Sequence, residues 1–461
     1  GIRHFCLSRG LGDVYKRQAD RLANNLNFGA LGKATELRQR LLFTLGALIV
    51  FRLGTFLPIP GINPEQVAAL FQQSQGTILQ YFNLFSGGAL ERMSIFALSV
   101  VPYISAAIVM QLFSNSLPYL QELKKDGQAG RNKITQYTRY GTVVFALIQS
   151  TALTVTLQSA GLIESTNIFG AIVAVLSIVT GTVFLMWLGE QISERGIGNG
   201  ISLIIATSII VGVPRAFGQA LEQTQQGDLN YLILIVLGLL TLLVIALVVF
   251  VENAQRKITV NYAQRHQVRG MVQAPSSFLP LKLNMSGVIP AIFASTFLLF
   301  PATLSSWFGN IEGLGGLQEF ALYLNPGQPL YILIFVILIV SFCYIWLALT
   351  FSSNDMAENL KRSGAYIPGI RPGEQTASFI DLILSRLTVF GAFYLSLVCI
   401  LPLLLINSFG ISFYLGGTSV LIVVVVMLDL QRQIQSYVMS QQYASILKNA
   451  NISGSKKSRR R

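Results

Sequence analysis

Tyr231-Leu232-Ile233-Leu234-Ile235-Val236-Leu237-Gly238-Leu239-Leu240-Thr241-Leu242-Leu243-Val244-Ile245-Ala246-Leu247-Val248-Val249-Phe250-Val251 carries no charge over its whole length. A bilayer core ~30 Å thick needs about 20 apolar residues in a helix, so this stretch reads as one membrane crossing. On the same scale the flanking sequence yields further spans near Leu41–Leu57, Ile95–Phe113, Tyr140–Leu162, Ile168–Leu188 and Ile197–Val213. Beyond it lie spans near Ser286–Phe308, Leu330–Phe351, Thr388–Ser408 and Gly417–Leu430, making ten in all. Composition agrees: of 461 residues 52% are hydrophobic and 11% charged, with a mean hydropathy of +0.58. A soluble chain of this length needs about 25% charged residues, so a soluble enzyme and a disordered chain are both excluded. The expected fold class is an all-α polytopic membrane protein.

The net charge of +13 takes its meaning from its placement. Of the 33 Lys and Arg, all except Arg52, Arg92 and Arg215 fall in one alternate set of connections and the two terminal arms. The positive-inside rule puts that face and both termini in the cytoplasm. Such a basic face suits ribosomal RNA or anionic lipid. Residues 1–18 show neither the apolar core nor the cleavage site of a signal peptide and are expected to be a non-native N-terminal scar. An arm follows at 19–40, then a first half at 41–213 and an external hinge loop at 214–230. The second half covers 231–430, with cytoplasmic loops at 252–285 and 352–387, and a basic tail runs over 431–461.

The halves resemble each other. Val100-Val101-Pro102-Tyr103-Ile104 in the second span parallels Val288-Ile289-Pro290-Ala291-Ile292 in the seventh. Gly200-Ile201-Ser202-Leu203-Ile204-Ile205 in the fifth parallels Gly417-Thr418-Ser419-Val420-Leu421-Ile422 in the tenth. Each pair lies five spans apart, and an odd number of spans per half turns the second half upside down. A pathway belongs between such halves. No Asp, Glu, Lys or His lies in the middle of any span, where ion-coupled carriers keep their binding groups. Arg52, near an outer end, reads as a snorkelling or inter-helix contact more readily than a substrate group. Ile104, Ile205, Ile292 and Ile422, with Val100 one turn before Ile104, either pack helices together or form a dewetted hydrophobic constriction. Between spans one and two, the stretch 76–90 is too short to cross and too apolar for an exposed loop. It fits an interfacial helix or a re-entrant element, joined to the next span by Gly87 and Gly88. Cys6, Cys343, Cys399, His4 and His266 are scattered, which supports neither a disulfide framework nor a zinc site.

Several strings together resemble the SecY family of protein-conducting channels, in its proteobacterial form. They are Phe51-Arg52-Leu53-Gly54 through Pro58-Ile59-Pro60-Gly61, Phe85-Ser86-Gly87-Gly88-Ala89-Leu90, and Gly189-Glu190-Gln191-Ile192 with Arg195 to Ser202. Gly287 to Ser295, Ile367-Pro368-Gly369-Ile370-Arg371-Pro372-Gly373 and Gly416-Gly417-Thr418-Ser419 complete them. The resemblance implies two inverted five-helix halves closing as a clamshell around a pore. It assigns an apolar pore ring to Val100, Ile104, Ile205, Ile292 and Ile422, with Val100 replacing the more usual Ile. It assigns a plug to Thr77, Ile78, Leu79, Tyr81, Phe82, Leu84, Phe85, Gly87 and Gly88. Spans two and three against seven and eight become a lateral gate, with Ser105 and Phe297 along it. Arg265, Arg269, Lys361, Arg362 and Arg371 become the docking surface for a ribosome or the SecA ATPase, although Gly270 stands where a second basic residue can follow. Implied partners are SecE and SecG, signal peptides and unfolded polypeptides, anionic lipids, and further YidC and SecD/SecF. No cofactor, metal site or catalytic residue is implied. A channel, a carrier of small solutes and an intramembrane enzyme are thus the classes to compare, and the first is expected.

Overall fold

In a computed structural model the protein is described over residues 35–62, 66–67, 83, 85–159, 161, 168–227, 230–262, 277–308, 328–409 and 417–458. Helices α1 (Thr35–Gly54), α2 (Val101–Ser116), α3 (Pro118–Lys125), α4 (Gln128–Ser159), α5 (Ile168–Arg195), α6 (Gly200–Gln226) and α7 (Tyr231–Asn253) come first. Strands β1 (Gln255–Tyr262) and β2 (Ser277–Lys282) then lead to α8 (Ile289–Phe308), α9 (Pro329–Thr350) and α10 (Ser353–Arg362). Last come β3 (Ala365–Tyr366), α11 (Glu374–Phe409) and α12 (Gly417–Ser458). Each expected span overlaps one of these helices. Among the described residues seven helices are long and apolar enough to cross a membrane: α4, α5, α6, α7, α9, α11 and α12. Of the other three, α2 is short, α1 carries charge at both ends, and α8 contributes a shorter apolar run.

The neighbour scheme repeats between halves. In the first, α2 packs on α4, α4 on α5, α5 on α6, and α1 on α6. In the second, α8 packs on α9, α9 on α11, α11 on α12, and α7 on α12. The first turn of α1 and the last turn of α7 lie at the same end of the bundle. Leu37 packs with Ile434, Tyr437 and Val438 of α12, and Arg432 of that helix donates to the Glu252 carbonyl at 2.9 Å. Matching helices therefore run in opposite directions, as an odd number of spans per half requires.

Close approach is made by small residues, as expected where lipid removes the hydrophobic drive for helix association. A Cβ on Gly200 would collide with the Gly189 carbonyl oxygen of α5, and one on Gly417 with the Val398 carbonyl oxygen of α11. The duplicated glycines thus do the same job in both halves. Leu232, Ile235, Leu239, Leu242, Leu243 and Phe250 of α7 stay exposed, which costs nothing if the surroundings are hydrocarbon.

Two boundaries differ from the sequence reading. The second span starts at Val101, not Ile95, because the chain from Gly87 to Val100 turns, with φ +44° at Met93 and +50° at Ser99. Pro102 and Pro290 do not interrupt helices: each sits in a first turn, where its missing N–H costs nothing. The last span does not stop at Leu430. Helix α12 runs on to Ser458, its continuation held by Arg432, by Gln433 accepting from the Gly198 N–H at 2.8 Å, and by the Arg40 guanidinium over Tyr437.

The two long loops also carry a sheet, of order β2-β1-β3, which the all-α reading did not anticipate. Gln255 pairs with Lys282 and Asn261 with Tyr366, all antiparallel. Ile258 and Val260 point inward at period two onto Ile380, Ile383, Leu384 and Leu387, the first turns of α11.

Candidate functional site

Helices α2 and α8, the matched second and seventh spans, open alike. Ser99 and Gly287, three residues before the matched prolines, both have positive φ, +50° and +64°. From that kink Val100 and Val288 become the carbonyls that accept from the Ile104 and Ile292 N–H groups, at 3.1 and 3.3 Å. At the other duplicated pair, Asn199 caps α6 by accepting from the N–H groups of Ile201 and Ser202, with Gly198 left-handed before it. The Gly196-Ile197-Gly198-Asn199-Gly200 string is thus a helix-to-helix turn between α5 and α6.

Val100, Ile205 and Ile422 are buried in one apolar cluster, and Ile104 and Ile292 pack against it half-buried. These five side chains come from α6 and α12, from α2 and α8, and from the residue before α2, so both halves contribute. Ser105 sits half-buried on α2, its hydroxyl donating to the Val101 carbonyl. Phe297 on α8 is exposed and meets Phe342 of α9 edge-on at 6.2 Å. Around them α2 and α4 touch α8, and α2 also touches α9, so the halves meet along the expected spans.

Of the apolar segment before α2, Phe85, Gly87 and Gly88 are described, while Thr77, Ile78, Leu79, Tyr81, Phe82 and Leu84 lie outside the described residues. Phe85, Ala89 and Leu90 are buried. Gly87, at φ +67°, lies so close to α6 that a Cβ there would come within 3.1 Å of the Ser208 Cα. Arg52, at the end of α1, donates to the Gly87 carbonyl at 3.2 Å and to the Thr55 hydroxyl at 3.3 Å, so it joins α1 to the turn before α2.

Sequence reasoning missed Glu91 and Arg215. The guanidinium grips the carboxylate in two bonds of 2.7 Å each. The signal was there: Glu91 is the sole acid between Glu65 and Glu122, and Arg215 the sole base between Arg195 and Arg256. Burial works to raise the Glu91 pKa, but Arg215, Asn83 and the nearby Arg92 outweigh it and hold the carboxyl below its ordinary value. Since the folded pKa is depressed, the stabilisation is complete above the unfolded value of ~4.3 and disappears as pH falls through the folded one. The gap in unfolding temperature between the wild type and Glu91→Gln should therefore be present at pH 7 and close in strong acid. A gap independent of pH would mean that the carboxylate's charge contributes nothing.

Of the proposed basic residues, Arg265 and Arg269 lie outside the described residues, and Lys361, Arg362 and Arg371 are exposed. Arg362 pairs with Glu358 at 2.7 Å. Arg371 projects from a turn anchored by the buried Ile367 and by the Thr376 hydroxyl, which donates to the Arg371 carbonyl at 2.9 Å.

A helical bundle of two matching halves with one apolar cluster between them is the architecture of membrane channels and transporters. The SecY family model matches residues 94–431, and the chain belongs to that family. It is 57% identical over 423 residues to the protein translocase subunit SecY of Pseudomonas aeruginosa, covering 92% of this chain and 96% of the relative. A solved protein-conducting channel superposes with a TM-score of 0.65 at 20% identity, over 89% of this chain and 94% of that one. Canine Sec61 from a ribosome-channel complex does so at 0.62 and 18% identity, over 89% and 94%. The reading as a carrier of small solutes finds no support among these relatives.

Proposed function

We propose that this chain is the pore-forming subunit of a protein translocase in a bacterial cytoplasmic membrane, with the sheet-bearing, basic end and both termini in the cytoplasm. Unfolded secretory chains pass between the two halves, and transmembrane segments leave sideways into lipid, where burying ~20 apolar residues is favourable. The observation that carries this reading is the single apolar cluster to which both halves supply duplicated positions. Val100, Ile104, Ile205, Ile292 and Ile422 form the seal, since a narrow apolar neck excludes water and can mould around a sliding polypeptide without gripping one sequence. The segment up to Gly88 is the plug. The chain is a conduit and not an enzyme, so the driving energy comes from a partner. A SecA-type ATPase or the ribosome docks on the basic loops, and SecE and SecG complete the complex. YidC, SecD/SecF and anionic lipids are further associates on the same reading.

Arg371 tests the docking side. Its turn is held from below by Ile367 and Thr376 and stiffened by Pro368 and Pro372, so the guanidinium is presented outward to a negatively charged surface. In proteoliposomes holding the complex, the wild type should import a preprotein when the ATPase is supplied and take up no small solute. Arg371→Glu should cut import at least ~10-fold while leaving the bundle inserted and stable, as reversing a desolvated docking charge costs a few kcal/mol. Solute uptake by the wild type would overturn the channel, and normal import with normal motor affinity in the variant would remove the docking role.

A further inference from the structure

The cluster around Glu91 does more than fill a gap. Asn83 donates to the Glu91 carboxylate at 3.1 Å and accepts from the Glu91 N–H at 3.1 Å, closing a ring between the two residues. Inside that ring the Gly88 N–H reaches the Asn83 carbonyl at 2.9 Å, and the Leu90 N–H reaches the Ser86 hydroxyl at 3.1 Å. The stretch from Ser86 to Arg92 is therefore a knot that moves as one piece with Asn83. Two cations hold it from outside: Arg52 of α1 on the Gly87 carbonyl, and Arg215 of α6 on the Glu91 carboxylate.

The α6 side of this contact is continuous with the apolar centre. Ser208, against which the Gly87 backbone lies, is three residues from Ile205 and seven from Arg215, so all three share one face of the helix. The pair itself is asymmetric. The Glu91 side chain is 11% exposed and that of Arg215 is 49% exposed. When the knot lifts, Arg215 is already half-exposed, and Glu91 carries its carboxylate out with it. Neither charge is stranded in the bundle, which distinguishes a contact built to open from a permanent staple.

We propose that Glu91 and Arg215 form a latch that pins the knot Ser86–Arg92, with Asn83, to α6 and so sets how readily the resting channel opens. This rests on the channel reading above, with that segment continuous with the plug. The bidentate geometry makes the grip directional, so a single point charge at 215 should hold less well. Opening then requires the pair to break, and any event that moves α6 away from the knot weakens it.

The test uses the whole complex in lipid, with Glu91→Gln, Arg215→Gln, Arg215→Lys and the swap Glu91→Arg with Arg215→Glu. Amide hydrogen exchange across 83–92 and resting ion conductance are read on the same preparations, alongside preprotein import by the wild type. Exchange should rise about tenfold in either Gln variant, with resting conductance rising in step; Arg215→Lys should fall between, and the swap should recover most of both. Should Glu91→Gln fail to assemble, Arg215→Gln, at the half-exposed partner, carries the same comparison. Unchanged exchange in the Gln variants, or raised exchange with a tight seal, would overturn the latch while import by the wild type left the channel standing. No import by the wild type would overturn the channel and the latch's role together, whatever the exchange.

Discussion

A bilayer holding the complex with Ile104, Ile205 and Ile292 all changed to Ser will pass ions at rest, where the wild type is silent. The three side chains come from α2, α6 and α8, two from the first half and one from the second, and they belong to one apolar cluster with Val100 and Ile422. A buried hydroxyl without a partner costs ~1–3 kcal/mol, and three in one apolar cluster can recover that only by admitting water. Once a continuous file of water crosses the neck, the free-energy barrier to ions collapses, because dewetting was what maintained it. The bland alternative is that these isoleucines only pack helices, in which case the loss of volume loosens the bundle without opening a path. Single-channel recording on correctly assembled protein separates the two. A folded triple variant with no added conductance would mean that the seal lies elsewhere.

The parts of this molecule that were legible in the sequence are those that one helix fixes by itself. Hydrocarbon demands long apolar runs, so Tyr231–Val251 declares itself with no knowledge of its neighbours, and charge placement orders the ends. The duplicated glycines were legible as a pattern, and their reason became visible only when Gly200 and Gly417 were seen against the carbonyls of α5 and α11. The matched prolines were legible as a pattern in the same way, and their place in a first turn became visible only with Ser99 and Gly287 at positive φ before them. The sheet was hidden because β1 and β3 are separated by β2 and the three helices α8, α9 and α10, and pair through a strand of two residues, too short for any periodicity. The extended α12 was hidden because its polar continuation is stabilised by Arg40, Gly198 and Glu252, contacts far away in sequence. Glu91 and Arg215 belong to the same class: each looked like an isolated charge until the fold brought them together across 124 positions.

Locking α2 to α8 should abolish both export and membrane insertion. The halves meet on this side where α2 and α4 touch α8 and where α2 touches α9, and on the other side through α6 against α7 and α12. On that second side α6 joins α7 directly through a short connection, with Gly227 left-handed at the helix end, so the chain itself keeps the halves together there. On the first side the described contacts between the halves are helix-to-helix packing, and on the function proposed above it is there that the clamshell parts. Ser105 lies next to Ile104 on α2, and Phe297 is five residues beyond Ile292 on α8, so both flank the apolar cluster. A bound signal helix would favour the parted arrangement only as far as it binds better between α2 and α8 than elsewhere. Cysteines at Ser105 and Phe297 should therefore cross-link readily at rest, and a trapped substrate should lower the yield. A disulfide needs Cα atoms within ~7 Å, so once formed it leaves no room for a helix about 10 Å across. Secretion through the oxidised complex should fall to background and return on reduction, which separates a locked gate from a damaged one. Efficient export through a fully cross-linked pair would show that substrates pass without parting the halves at this line.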